Sequence, residues 1–289
     1  MSFFNTPKTS NSSNFYLGIW LANDTQGQPV WVANRKDPIH SSSPSVNINN
    51  SGNLVISSDG RSDVPITNAT WTSTNTSVKL LDDGNLVLLE DASGDSREGH
   101  VLWQSFDHPT DTLLPGMKLR FLTTWLNTQV PYPGPFTLGI DPNGSNQLVI
   151  WYRGVVYWRS RLWNSSEDVV LFRNSQPYNI HYRFESDEDG KYFIYTINQT
   201  AGDNNLIYKW VMTSSGQISR DKWNSSGSGG VWLEDVETIS PCNGTFGDNG
   251  CWRRAWPNCS HLNINDFSKD KVTVNFNIFG TNSGIALSD

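Results

Sequence analysis

Few residues in this 289-residue chain have types and spacings that suggest chemistry. Ser105, His108 and Asp111 lie close together in QSFDHPTDT, and those three types can build a nucleophile–base relay. No Gly-x-Ser-x-Gly elbow frames a serine, so the segment reads as structural. Asp187-Glu188-Asp189-Gly190 resembles the start of a calcium loop, but the twelfth position counted from Asp187 is Asn198 instead of a glutamate. A hairpin turn is the expectation there. The five histidines are scattered and form no HExxH pair. Cys242, Cys251 and Cys259, with His261 nearby, match no common zinc spacing. No metal and no cofactor is expected. Glycine-rich phosphate loops and the HRD and DFG signatures of kinases are missing from the sequence. A hydrolase is kept only as a remote alternative, without a constellation to carry it.

The elements that would hold these residues read as strands and turns. In VKLLDDGNLVLLED, two apolar runs flank Asp82-Asp83-Gly84. Asp-Gly between β-type runs predicts a hairpin closed by a primed turn, whose central residues take φ > 0. VNINNSGNLVISSD is an earlier echo: Gly52-Asn53-Leu54-Val55 repeats as Gly84-Asn85-Leu86-Val87, an offset of 32 (84 − 52). Trp71 and Trp103 keep the same offset. A fixed period in this range points to stacked supersecondary units. Residues 15–20, 29–34 and 66–73 read as further strands, and Pro131-Tyr132-Pro133-Gly134-Pro135 as a stiff connector. Hairpins follow at residues 148–159, 179–197 and 206–223, with clear alternation at 181–184 and 192–195, and residues 272–278 suggest one more strand.

Composition narrows the function class. Hydrophobic residues make up only 36%, and thirteen tryptophans compensate with large buried areas. The net charge is −7 and no basic cluster is present, which argues against a nucleic-acid partner. No run of 18 apolar residues exists, so no membrane insertion is expected. The first residues, MSFFN, lack the basic start and apolar core of a secretory leader. Asn-x-Ser/Thr sequons are nevertheless in excess: Asn11, Asn23, Asn49, Asn68, Asn75, Asn143, Asn164, Asn198, Asn224, Asn243 and Asn258. They favour an extracellular history from which the leader has been lost.

The motifs YLGIW (from Tyr16), VWVANR (from Val30), LLDDGNLVL (from Leu80) and WQSFDHPTDTLLPGMKL (from Trp103) occur in this order. Together they are similar to the bulb-type, mannose-binding lectin domain of plant S-receptor-like kinases. GVVYWRSRLWN (from Gly154) resembles the YWRSGPWNG signature of the S-locus glycoprotein domain, with Arg161 and Leu162 in place of Gly-Pro. The resemblance implies an all-β chain: a β-prism II bulb-type lectin domain followed by an S-locus-glycoprotein-like β-sheet domain. In such a prism, three four-stranded sheets surround a pseudo-threefold axis with tryptophans in the middle. The implied ranges are 1–119 for the lectin domain, 120–240 for the second domain, and 241–289 for a short cysteine-containing tail preceding a PAN/apple module. A strand that family members carry between GMKL and LTSW is missing near residues 119–128, and Phe3-Phe4 looks like the end of an upstream LGFF strand. With three cysteines one thiol stays unpaired, and spacing favours Cys251 with Cys259.

The family's sugar site is Gln-x-Asp-x-Asn-x-Val-x-Tyr across a hairpin. Here its second copy falls on Leu81, Asp83, Asn85, Val87 and Leu89, so both polar ends are apolar. A lost neutral hydrogen bond is worth ~1 kcal/mol. Two such losses imply a roughly 30-fold weaker affinity. The other reading is that Asp83 and Asn85 only make the turn. The first copy gives Asn49, Ser51, Asn53, Val55 and Ser57, and a glycan on the Asn49 sequon would crowd it. The resemblance therefore implies a non-catalytic receptor ectodomain with weak or lost mannose binding. Its candidate partners are a mannose-type glycan, an extracellular peptide or protein that the lectin scaffold holds without sugar, and a second copy of the chain. A soluble decoy is a further form of the peptide-binding alternative.

Overall fold

The computed structural model describes residues 1–6, 14–41, 43–71, 74–91, 99–160, 162–163, 180–198, 207–226 and 229–239. All of them lie in the compact unit Met1–Arg253. The cysteines, the sequons Asn11, Asn164, Asn243 and Asn258, and the expected strand at 272–278 lie outside the described residues. The described residues form antiparallel strands and one 3₁₀ turn, Ser105–Asp107, with no α-helix among them. The described residues are all-β, as their patterning predicts.

Three small sheets come first. They are β1 (Ser2–Asn5), β2 (Phe15–Ile19) and β3 (Trp31–Val32); then β4 (Ser45–Ile48), β5 (Leu54–Ser57) and β6 (Val64–Pro65); then β7 (Thr76–Leu80), β8 (Leu86–Glu90) and β9 (His100–Gln104). Each has three described strands where four were expected. A buried asparagine in each sheet takes up backbone groups near the third strand. Asn34 Oδ1 accepts the Leu17 N–H at 2.8 Å, and its Nδ2 donates to the carbonyls of Phe15 and Asp37. The chain then rejoins β2 by a single bridge, Phe15 to Ile39. Residues 66–71 of the strand expected at 66–73 likewise lie outside any ladder, and 72–73 lie outside the described residues. The Ile66 and Thr67 N–H groups both donate to the Leu54 carbonyl, and Asn53 holds Ala69 through both its N–H and its carbonyl. Where an amide side chain satisfies the backbone, a ladder is no longer required.

The centre of these sheets is apolar. Leu54 of β5 and Leu86 of β8 are fully buried, and they pack in one cluster with Ile19, Val30 and Trp31. The Trp31 and Trp103 rings meet edge-on with centroids 6.1 Å apart.

The later strands form three further sheets. β10 (Thr112–Leu113) pairs with β17 (Tyr208–Met212), and β18 (Ile218–Ser226) and β19 (Gly229–Ile239) extend that sheet. β11 (Phe121–Asn127), β12 (Val130–Ile140), β13 (Leu148–Tyr152) and β14 (Val155–Arg159) form the second. β15 (Ile180–Asp187) and β16 (Gly190–Ile197) pair alone. The proline-rich segment is not a connector but the first half of β12, paired with β11 through Pro133 and Trp125. Ladder pairing with β13 begins only at Phe136, so its prolines lie on an edge that asks for no N–H donor. A Cβ on Gly134 would sit 2.3 Å from the Trp125 carbonyl oxygen, so this close approach admits only glycine.

Candidate functional site

The β7–β8 hairpin carries the residues singled out for sugar contact. The Gly84 N–H donates to the Leu81 carbonyl at 3.0 Å, and the Leu81 N–H donates to the Asn85 carbonyl at 2.8 Å. Gly84 has φ +92, while Asp82 and Asp83 have negative φ. The loop is therefore a turn ending in a glycine bulge, not the two-residue primed turn expected from Asp-Gly. The β4–β5 hairpin repeats it: Gly52 donates to Asn49, Asn49 donates to Asn53, and Gly52 has φ +75. The 32-residue offset thus extends from sequence to matching hydrogen bonds. It does not extend to the tryptophans. Trp103 lies on β9 opposite Leu88, whereas Trp71 follows β6 and donates its indole N–H to Asn53 Oδ1 at 3.1 Å. The connection from β8 to β9, residues 91–99, is longer than that from β5 to β6, residues 58–63, so the frame shifts after the second hairpin.

Asp83 is exposed, and its Oδ1 accepts the Asn85 N–H at 2.9 Å. Asn85 points inward and is only 6% exposed. Its Oδ1 accepts the Ser105 hydroxyl and the Phe106 N–H, both at 3.2 Å, and its Nδ2 donates to Gln104 Oε1 at 2.9 Å. The Ser105 hydroxyl oxygen in turn accepts the Leu86 N–H at 2.9 Å. The corresponding Asn53 accepts Thr67, Ala69 and Trp71, and the Leu54 N–H donates to Thr67 Oγ1. Val87 is buried, and Leu81 and Leu89 are half-buried. At the turn itself the exposed polar side chains are Asp82 and Asp83, and Lys79 is exposed on β7.

The relay residues Ser105, His108 and Asp111 serve three separate contacts. Ser105 clamps β8 as described. The His108 ring stacks on Trp103 at 5.5 Å, and its carbonyl accepts the Trp31 indole N–H at 2.9 Å. Asp111 is buried beside Arg35. Burial pushes its carboxyl up, and Arg35, the Trp125 N–H and the Thr110 hydroxyl offset part of that. Arg35 is also buried and donates to three carbonyls: Pro131 at 2.6 Å, Thr123 at 2.8 Å and Thr124 at 2.6 Å. Nothing in VWVANR announces those acceptors, because they lie on β11 and β12.

The Asp187–Gly190 segment is the β15–β16 turn, with Gly190 at φ +106. The Asp187 carboxylate binds Arg120 and, at 2.9 Å, Lys118. Among the described sequons, Asn23, Asn68, Asn75, Asn143, Asn198 and Asn224 are exposed. Asn49 uses its side-chain oxygen to accept the Ser51 and Asn53 N–H groups.

Residues 28–130 match the D-mannose binding lectin family. Those residues are a lectin domain of that family. It is 42% identical over 213 residues to a G-type lectin S-receptor-like serine/threonine-protein kinase of Arabidopsis thaliana, a match covering 69% of this chain and 25% of the kinase. A second such Arabidopsis kinase is 36% identical over 272 residues, 90% of this chain and 30% of the kinase. The S-locus-specific glycoprotein S6 of Brassica oleracea is 33% identical over 235 residues, 78% of this chain and 52% of that glycoprotein. The chain therefore spans about a quarter to a third of the kinases and about half of the glycoprotein. The homology extends beyond the lectin match into the later sheets.

Proposed function

We propose that this lectin-bearing chain is a non-catalytic recognition module of an extracellular receptor ectodomain, whose β7–β8 hairpin serves as scaffold and has lost useful affinity for mannose-type sugars. The observation that carries this reading is the Asn85 side chain, turned inward onto Gln104, Ser105 and Phe106. Leu81 and Leu89 flank it without polar groups, leaving Asp83 to face solvent. The division into a lectin domain to residue 119 and an S-locus-glycoprotein-like domain from 120 to 240 belongs to the same proposal. Passage over immobilised mannose at high protein density tests it. The expected result is no retention, and elution only by free mannoside would refute it.

A second reading is a peptide or protein ligand held by the rigid sheets. It is favoured by Phe121 of β11, 61% exposed and 6.4 Å from the Trp151 ring of β13. Aromatic side chains left in solvent are typical of contact surfaces. Alanine at Phe121 is expected to weaken capture of such a ligand and leave the thermal midpoint unchanged.

A further inference from the structure

A cavity of about 250 Å³ is lined by Asp111, by Trp125 of β11, by Lys209 of β17 and by Ser219 and Asp221 of β18, with Thr128 among its lining residues. Its polar groups are deeply placed: Asp111 is 8%, Lys209 1% and Ser219 9% exposed. Lys209 lies over the Trp232 ring, with its ammonium 4.3 Å from the centroid. The Asp221 carboxylate is 3.7 Å from that ammonium, an ion pair beyond hydrogen-bond length. An ammonium carries three donors, and burying them without acceptors is costly. The Asp111 carboxylate accepts the Thr110 hydroxyl at 3.2 Å. Burial lowers the Lys209 pKa and raises those of both aspartates, and Lys209 and Ser219 offset part of it at Asp221 as Arg35 and Thr110 do at Asp111.

Charge and size restrict the occupant. The two carboxylates are balanced by Lys209 and by Arg35 behind Asp111, so the cavity favours neither an anion nor a cation. A hydroxyl group can accept from an ammonium and donate to a carboxylate, so a ring bearing several hydroxyls meets both needs at once. The volume lies below the roughly 300–1,000 Å³ of drug-sized sites. Trp125 adds an aromatic wall for the C–H surface of such a ring.

We propose that this cavity binds a small neutral polyol, of monosaccharide or cyclitol size, at a site separate from the β7–β8 hairpin. The two sites share no residue, so either can fail without the other. Calorimetric titration of the full chain with glucose, galactose and myo-inositol in turn tests the proposal. Saturable binding of at least one is expected. Lys209→Met should weaken it by roughly tenfold or more, the worth of a hydrogen bond to a charged group. Thr128→Trp, at an exposed position, should block the cavity without touching the buried charges, and so holds even if Lys209→Met does not fold. Saturation by none of the three compounds would mean a water-filled cavity only and overturn the proposal. Binding that survives Thr128→Trp but is lost in Asp83→Ala would place the sugar on the hairpin, and would overturn it equally.

Discussion

Asn85 and Asp83 are two positions apart and do opposite things. Asn85 is spent on the interior, where its removal would leave the Phe106 N–H without its acceptor. Asn85→Ala is expected to cost about 2–3 kcal/mol, and Asp83→Ala less than about 1 kcal/mol. Urea unfolding of the two variants checks this, and equal midpoints would remove the clamp role. Arg35 is a sharper case. Replacing it by methionine strands three carbonyls and the Asp111 carboxylate, so a loss of about 3 kcal/mol or more is expected from the same measurement. At this scale the sequence was partly legible. The Gly-Asn-Leu-Val repeat located the hairpins, and the apolar ends at Leu81 and Leu89 were visible directly. The inward turn of Asn85 was not, because its partners Gln104–Phe106 come after the longer β8–β9 connection, which breaks the repeat.

Among elements, apolar runs flanking a clear turn signal were placed well. The hairpin at Leu148–Tyr152 and Val155–Arg159 lies where its pattern put it. Its Arg153-Gly154 turn has both residues at positive φ, so it takes the primed form that Asp83-Gly84 does not. The prolines of β12 were misleading because their pairing demand depends on neighbours that only the fold supplies. The β15–β16 turn gives a pH signature. Arg120 and Lys118 hold the Asp187 carboxyl well below the usual carboxylate range. Because its folded value is depressed, its stabilisation is present above the unfolded value near pH 4 and is lost as pH falls further. The wild-type thermal midpoint should therefore fall more steeply than that of Asp187→Asn on acidification below about pH 4. Parallel curves would show that the ion pairs contribute nothing.

Across the whole molecule, the early and late sheets are joined by backbone as well as side chains. β10 pairs with β17, Leu119 exchanges both hydrogen bonds with Phe193, and Thr25 donates its N–H to Gly230. Arg35 ties the VWVANR segment to β11 and β12. A chain cut to residues 1–119 loses all of these and exposes part of the shared core. It is expected to bind hydrophobic dyes and to unfold without a sharp transition, and a transition matching that of the full chain would contradict this. Sequence motifs located the lectin segment, but contacts between the early and late sheets leave no period or spacing to read.

The recognition account rests on the apolar ends of the β7–β8 hairpin, and one titration addresses it. Methyl mannoside is added to the wild-type chain and to Leu81→Gln/Leu89→Tyr under calorimetry. No saturation for the wild type and a gain of roughly 30-fold in the double variant are expected. Tight saturation of the wild type, with no gain in the variant, would contradict the account.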